Sequence, residues 1–231
     1  MKKCYIVGAG DFFGSIDPCQ DDLVIAADGG LDSLLKLGIV PDVIVGDFDS
    51  VEKNSGISAY TDTRAELSEG AAVVSEKISL FGKCVEIFRY PVMKDETDMY
   101  LAYEIGASRG YTEFELHGGV GGREDHTFAN YCLLLRAKND KNNLTLIGNG
   151  TKTFVLKNET KTIFGNEGAT VSAFAFGGEC QGVSIRGLKY EAESISLAPS
   201  RPLGVSNSFL SSGKGEIEVR EGALLTVVYD K

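Results

Sequence analysis

Tryptophan is absent from the 231 residues, and histidine occurs only twice, as His117 and His126. Two imidazoles cannot furnish a three-histidine zinc site within one chain. His-Glu-x-x-His does not occur, which leaves out one common metallohydrolase arrangement. The five cysteines, Cys4, Cys19, Cys84, Cys132 and Cys180, are odd in number and show no Cys-x-x-Cys spacing. They are expected to be reduced, mostly buried thiols rather than a disulfide or zinc framework. Basic residues are outnumbered, 23 Lys and Arg against 33 Asp and Glu, for a net charge of -10. That sign opposes binding to a phosphate backbone by counterion release, so no nucleic-acid partner is expected. No apolar run approaches the ~20 residues that a membrane helix needs. Met1-Lys2-Lys3-Cys4-Tyr5-Ile6-Val7-Gly8 holds too short an apolar stretch for a secretory signal. A cytoplasmic protein with no membrane partner is the expectation, under which the Asn-x-Thr triplets at Asn143, Asn149 and Asn158 carry no glycan. Catalysis by such a chain must draw largely on carboxylates and backbone amides.

Apolar residues make up 43% of the chain, enough for one large core or two small ones. Cys4 to Val7, Leu23 to Ala27, Val43 to Val45, Cys84 to Phe88, Glu113 to Leu116 and Leu144 to Ile147 are short, largely apolar runs that predict strands. Leu31 to Leu37, Asp98 to Ser108 and Asp125 to Lys138 predict helices, the last with Phe128, Tyr131, Cys132 and Leu135 on one face. This alternation predicts an α/β N-terminal domain with a mainly parallel sheet, residues 1–148, and ligands beyond the carboxyl ends of its strands. The stretch from Val51 to Phe81 shows only a weak period. After Gly148-Asn149-Gly150 the helical period disappears. Phe154 to Leu156, Thr170 to Phe176, Gly182 to Ile185, Ser194 to Leu197, Gly215 to Val219 and Leu224 to Tyr229 predict an all-β C-terminal sandwich or partial barrel, residues 149–231.

Four segments can carry chemistry. In Gly46-Asp47-Phe48-Asp49-Ser50 a strand ends on a glycine, and two carboxylates follow at i and i+2, on one face of an extended chain. Such neighbours repel unless a cation lies between them, which suits Mg²⁺; a solvated Asp-rich turn explains them equally well. Lys94-Asp95-Glu96-Thr97-Asp98 adds acids ahead of a helix, with Thr97 or Asp98 as its N-cap, a role compatible with metal ligation. Gly118-Gly119-Val120-Gly121-Gly122-Arg123-Glu124-Asp125-His126 runs from a strand into a helix. There glycine amides, a helix dipole and the Arg123 fork suit a polyphosphate. It is not a Walker loop, and neither it nor Gly8-Ala9-Gly10 fits Gly-x-Gly-x-x-Gly. Asp28, in Asp28-Gly29-Gly30, follows a strand and suits either a ribose contact or a helix cap.

Taken in chain order, Asp28-Gly-Gly, Gly46-Asp-Phe-Asp-Ser, Asp95-x-Thr-Asp98 and Gly118-Gly-x-Gly-Gly-Arg-x-Asp-His, the four segments resemble those of bacterial-type thiamin pyrophosphokinases. Gly187-Leu188-Lys189-Tyr190 and Gly204-Val205-Ser206-Asn207-Ser208-Phe209 resemble that family's thiamin-binding half, so the likeness spans nearly the whole chain. It implies transfer of pyrophosphate from ATP to the hydroxyethyl group of thiamin, and a homodimer with active sites at the subunit interface. It further implies Mg²⁺ on Asp47, Asp49 and Asp98 with Asp95 close by. The ATP contacts implied are Asp28, Gly29, Gly30, Lys94, Gly121, Gly122, Arg123 and His126. Asp98, Asp125 and Arg123 would act on the reacting groups, with Asp98 or Asp125 as proton acceptor. Tyr190, Ser206 and Asn207 would line the thiamin pocket. The chain departs from the family at Tyr190, where some relatives carry tryptophan, at Ser208, and in the long connection from Val51 to Tyr90. Two other readings compete: a diphosphokinase for a hydroxymethylpterin, opposed by residues 187–209, and a non-catalytic nucleotide- or thiamin-binding module, opposed by the retained acids.

Overall fold

The structure, a computed structural model, describes residues 2–46, 57–58, 64–68, 71–90 and 95–230. The chain forms two compact units, Met1–Asn130 and Tyr131–Lys231. No helix among the described residues is long and apolar enough to cross a membrane.

Unit 1 runs β1 (Lys3–Val7), β2 (Leu23–Ala27), α1 (Gly30–Lys36), β3 (Val43–Gly46), β4 (Ile57–Ser58), β5 (Arg64–Ser68), β6 (Ala71–Leu80), β7 (Lys83–Arg89), α2 (Asp98–Ser108) and β8 (Glu113–His117), then enters α3 (Glu124–Asn139), within which the two units meet. The strands β8-β1-β2-β3-β7 are mutually parallel. Leu23 to Ala27 are all buried, the mark of a parallel strand covered on both faces. Tyr5, Val7, Val24, Ala26 and Ile44 pack with Leu31 and Leu34 of α1. The opposite face belongs to α2, where a Cβ on Gly106 would lie 2.9 Å from Cys4 Sγ and 2.7 Å from the Phe114 ring. Burying a side chain the size of Ile6, Ile25 or Leu116 stabilises by about 1.5–3 kcal/mol, against about 0–1 kcal/mol for an exposed ion pair. The double-sided apolar sheet therefore dominates the stability of this unit.

The mainly parallel sheet is as expected, but it carries an antiparallel flank. β6 returns on β7 and also pairs antiparallel with β4 and β5. The β6–β7 turn is Phe81-Gly82, both at positive φ, 49° and 81°. That is the signature of a type I′ hairpin, which phenylalanine rarely provides. The turn joins the ten-residue β6, paired on one side with β7 and on the other with β4 and β5, to β7.

Unit 2 completes α3 and adds β9 (Asn143–Gly148), β10 (Thr151–Phe164), β11 (Thr170–Ala175), β12 (Cys180–Arg186), β13 (Ala192–Leu197), β14 (Asn207–Ser208) and β15 (Lys214–Tyr229). All its strand pairs are antiparallel. The two runs predicted at Gly215 to Val219 and Leu224 to Tyr229 are one strand. β15 continues through Gly222, whose amide donates to Asn158 Oδ1 at 2.9 Å, opposite the irregularity that β10 carries between Lys157 and Glu159. Both long strands bend there: before the bend β15 lies between β10 and β12, and after it between β10 and β11. A core of Leu156, Val171, Val183, Leu197, Phe209 and Leu224, among others, fills the unit.

Two expectations need correction. All five cysteines are free, but only Cys4 and Cys180 are buried, Cys19, Cys84 and Cys132 being exposed. On α3 the buried stripe is Asn130, Leu133, Leu134 and Ala137, while Phe128 and Cys132 are exposed. Both stripes satisfy helical spacing, and a polar residue, Asn130, occupies the one that is buried.

Glu115 ties β8 to β1. Lys3 Nζ meets its Oε1 at 2.6 Å, and His117 Nε2 stands 3.5 Å from Oε2. The His117 ring 3.5 Å away and the hydrogen-bonded Lys3 ammonium hold the Glu115 carboxyl down at about 2. A depressed carboxyl contributes stability above its unfolded value of 4.5, and loses it as pH falls toward about 2. Denaturant titrations of Glu115→Gln are expected to show a flatter loss of stability across that acid window than the parent chain.

Candidate functional site

The winding of unit 1 reverses between β1 and β8: the chain steps from β1 through β2, β3 and β7, then returns to β1's other edge as β8. Such a reversal leaves a crevice beyond the carboxyl ends of the strands, and a cavity of about 790 Å³ lies there. Gly8 N donates to His117 O at 2.8 Å and Gly10 N to Gly118 O at 3.0 Å, extending the ladder past the strands. Gly118 has φ of 65°, and a Cβ on it would overlap Gly8 O. Only glycine permits this approach, and it presents backbone, not side chains, to the cavity.

Three further walls come from helix starts. Asp28 follows β2 at φ 51° and donates its amide to Val45 O at 2.8 Å. The N-cap of α1 is Gly29, without a side-chain cap bond. Asp28 lines the cavity; Gly29 and Gly30 do not. Gly30 is buried, and a Cβ on it would overlap Val7 O. At α2, Thr97 is the cap, its Oγ1 accepting from Tyr100 N at 3.2 Å. Asp98 thus occupies the first turn, where the helix dipole favours a carboxylate, and it lines the cavity with Asp95 and Glu96. At α3, Arg123 and His126 line the cavity together with Gly121 and Gly122.

Arg123 is engaged. Its Nε and Nη2 donate to Asp125 Oδ1 and Oδ2 at 3.1 and 2.6 Å, and Oδ1 also accepts from His126 N at 3.0 Å. The pairing raises the guanidinium pKa and lowers that of the Asp125 carboxyl. Both side chains are largely exposed, 71% for Arg123, so solvent screens the pair. Asp125 itself is not on the cavity wall.

Asp47, Asp49 and Lys94 lie outside the described residues. Among the described residues no three His, Cys, Asp or Glu side chains gather as a metal cluster. Reasoning from sequence missed Gly8 to Gly10, set aside for failing a dinucleotide fingerprint, and it missed Met99 and Asn130. The last could have been found from its place one turn after His126.

In unit 2, Leu188 and Phe209 form an antiparallel bridge. Asn207, 7% exposed, accepts at Oδ1 from Tyr190 N and Ser208 N, both at 2.9 Å, and donates from Nδ2 to Tyr190 O at 2.7 Å. Its amide thus clamps the backbone of Tyr190, whose ring is 60% exposed, with Lys189 Nζ 5.3 Å from its centroid. Ser206, at φ 60°, donates its amide to Ser172 Oγ at 3.1 Å.

The model of the thiamin pyrophosphokinase catalytic domain matches residues 19–146, more than half of the chain, and that of the thiamin pyrophosphokinase vitamin B1 binding domain matches residues 155–224. The chain belongs to the thiamin pyrophosphokinase family. A curated relative, thiamine pyrophosphokinase from Bacillus subtilis (strain 168), is 24% identical over 241 residues, 98% of each chain. The fold is that of two solved structures, thiamine pyrophosphokinase from Bacillus subtilis (TM-score 0.77, 20% identity, 99% of each chain) and thiamin pyrophosphokinase from Geobacillus thermodenitrificans (TM-score 0.77, 23% identity, 99% of this chain and 98% of that one).

Within this family member Gly30 serves packing. Gly30→Ala is expected to cost about 2–3 kcal/mol or more of folding stability through overpacking against backbone, measured by denaturant unfolding.

Proposed function

We propose that the chain transfers pyrophosphate from ATP to the hydroxyethyl oxygen of thiamin, giving thiamin diphosphate and AMP. Residues 1–148 form the catalytic, ATP-binding half and 149–231 the thiamin-binding half. The observation that carries this reading is the cavity at the β1–β8 reversal, where glycine backbone, Asp98 and Arg123 share one wall system. The match to a vitamin B1 binding domain over residues 155–224 supports thiamin as acceptor over a pterin alcohol.

In the reaction the hydroxyethyl oxygen forms a bond to the β-phosphorus, the bond from that phosphorus to the α–β bridging oxygen breaks, and AMP leaves with that oxygen. The acceptor's proton passes to a base. Asp98 is the better candidate: it lines the cavity, whereas Asp125 stands off it with its carboxylate committed to Arg123. The residual role of Asp125 is to hold the Arg123 fork at the mouth until a phosphate takes it. Gly118 to Gly122 bring backbone amides to the phosphates, and Asp28 and His126 contact the nucleotide.

The hard carboxylate oxygens of Asp95 and Asp98 suit a divalent cation, Mg²⁺ by this donor set, with Asp47 and Asp49 as its further ligands. When bound, the ion neutralises charge on the transferring phosphates. Tyr190 offers its ring face to the cationic thiazolium, held by the Asn207 clamp, with Ser206 beside it. A homodimer with active sites at the subunit interface and a cytoplasmic location, where ATP is held, complete the reading.

Incubation with ATP, Mg²⁺ and thiamin should release AMP. Release with hydroxymethylpterin alone, or none, overturns the proposal. Asp98→Asn is expected to lower kcat by about 10²–10⁴-fold with unfolding shifted by less than about 1 kcal/mol. Tyr190→Ala should raise the KM for thiamin roughly 3- to 30-fold without a matching rise for ATP.

A further inference from the structure

Asn130 stands out on the cavity wall because it is polar, 5% exposed, and set in the apolar stripe of α3 with Leu133, Leu134 and Ala137. Asparagine is a poor helix-interior residue, favoured where its amide has specific partners. One partner is evident: Nδ2 donates to Gly119 O at 2.8 Å. A carbonyl oxygen only accepts, so the amide's orientation is dictated by chemistry, with the nitrogen toward Gly119. That leaves Oδ1, to which nothing among the described residues donates. Oδ1 is not a sealed, unpartnered atom; it is an accessible acceptor, on a residue of the cavity wall, with its place open to a donor from a ligand.

We infer that Asn130 Oδ1 accepts a hydrogen bond from the nucleoside half of ATP, making Asn130 a specificity-determining residue of this site. The inference rests on the cavity being the ATP site. Phosphate oxygens are acceptors and cannot pair with Oδ1. The donors that ATP carries are its ribose hydroxyls and the adenine amino group. Position agrees. The Arg123 fork, just ahead of α3, is the exposed end of the wall, and Asn130 is the buried end. From Glu124 to Asn130 the helix rises about 9 Å, so an ATP with its phosphates at the fork carries its sugar and base toward the amide. His126, one turn before Asn130, lines the same side.

The bond to Gly119 alone would make Asn130 a loop tether, and nucleotide analogues separate the two roles. Binding of ATP, 2′-deoxy-ATP, 3′-deoxy-ATP and purine riboside triphosphate, which lacks the 6-amino group, is measured by titration calorimetry with Mg²⁺ on the full chain and on Asn130→Ala. One analogue is expected to bind the parent about tenfold more weakly than ATP does. The variant should lose about tenfold for ATP and little or nothing further for that analogue, whose identity tells hydroxyl from amino group. An equal loss for all four nucleotides in the variant overturns the inference in favour of a tether. So does binding of all four to the parent within twofold, a result that stands even if Asn130→Ala fails to fold. Absence of any ATP binding overturns the site assignment itself, whereas ATP bound with no discrimination overturns only the part given to Asn130.

Discussion

The approach of two backbones, Gly8 to Gly10 on one side and His117 to Gly118 on the other, is what the rest of unit 1 depends on. Two amide-to-carbonyl bonds carry the β1–β8 pairing beyond the last strand residues, and Gly118 leaves no room for a side chain between them. The result is a floor made of peptide groups at the point where the sheet's winding reverses. A polyphosphate can meet such a floor closely, because backbone amides donate without the length or entropy of a side chain. The helix starts at Asp98 and Glu124 then bring their first-turn groups to the same space.

Electrostatics follow from that geometry. The chain carries a net charge of -10, and the wall holds Asp28, Asp95, Glu96 and Asp98 against one guanidinium. A site so acidic would repel a nucleoside triphosphate if left to itself. Under the proposed function, a divalent ion would resolve this by making ligands of the carboxylates that otherwise repel one another. The Arg123–Asp125 pair is exposed and screened, so it is weak enough to open, and its two bonds fix where the fork stands at the mouth.

Much of this architecture was legible in the chain. The βα alternation marked the parallel sheet, since strands covered on both faces read as unbroken apolar runs, and Asp98 to Ser108 matched α2 residue for residue. The motif order marked the family, which the two domain matches over residues 19–146 and 155–224 bear out. What escaped notice did so for physical reasons. Phe81-Gly82 turns a hairpin with a residue that seldom accepts positive φ. Gly222 looks like a strand break, but it is a bend through which pairing continues. The true inner face of α3 hides behind Asn130, whose polarity points outward until its bond to Gly119 is known. Asn207 is polar and lies in a pocket motif, yet most of its bonding capacity is spent within the chain.

β15 is sixteen residues long and is shared: β10 follows it along nearly its whole course, β12 borders its first part and β11 its second. A strand that belongs to two sheets at once cannot melt in one without loosening the other. The loop bearing Ser206 and Asn207 is anchored through β14 to β11, so the platform under Tyr190 inherits the cooperativity of the entire β unit. Its position therefore depends on strand pairing across the unit, not only on the few side chains around the ring.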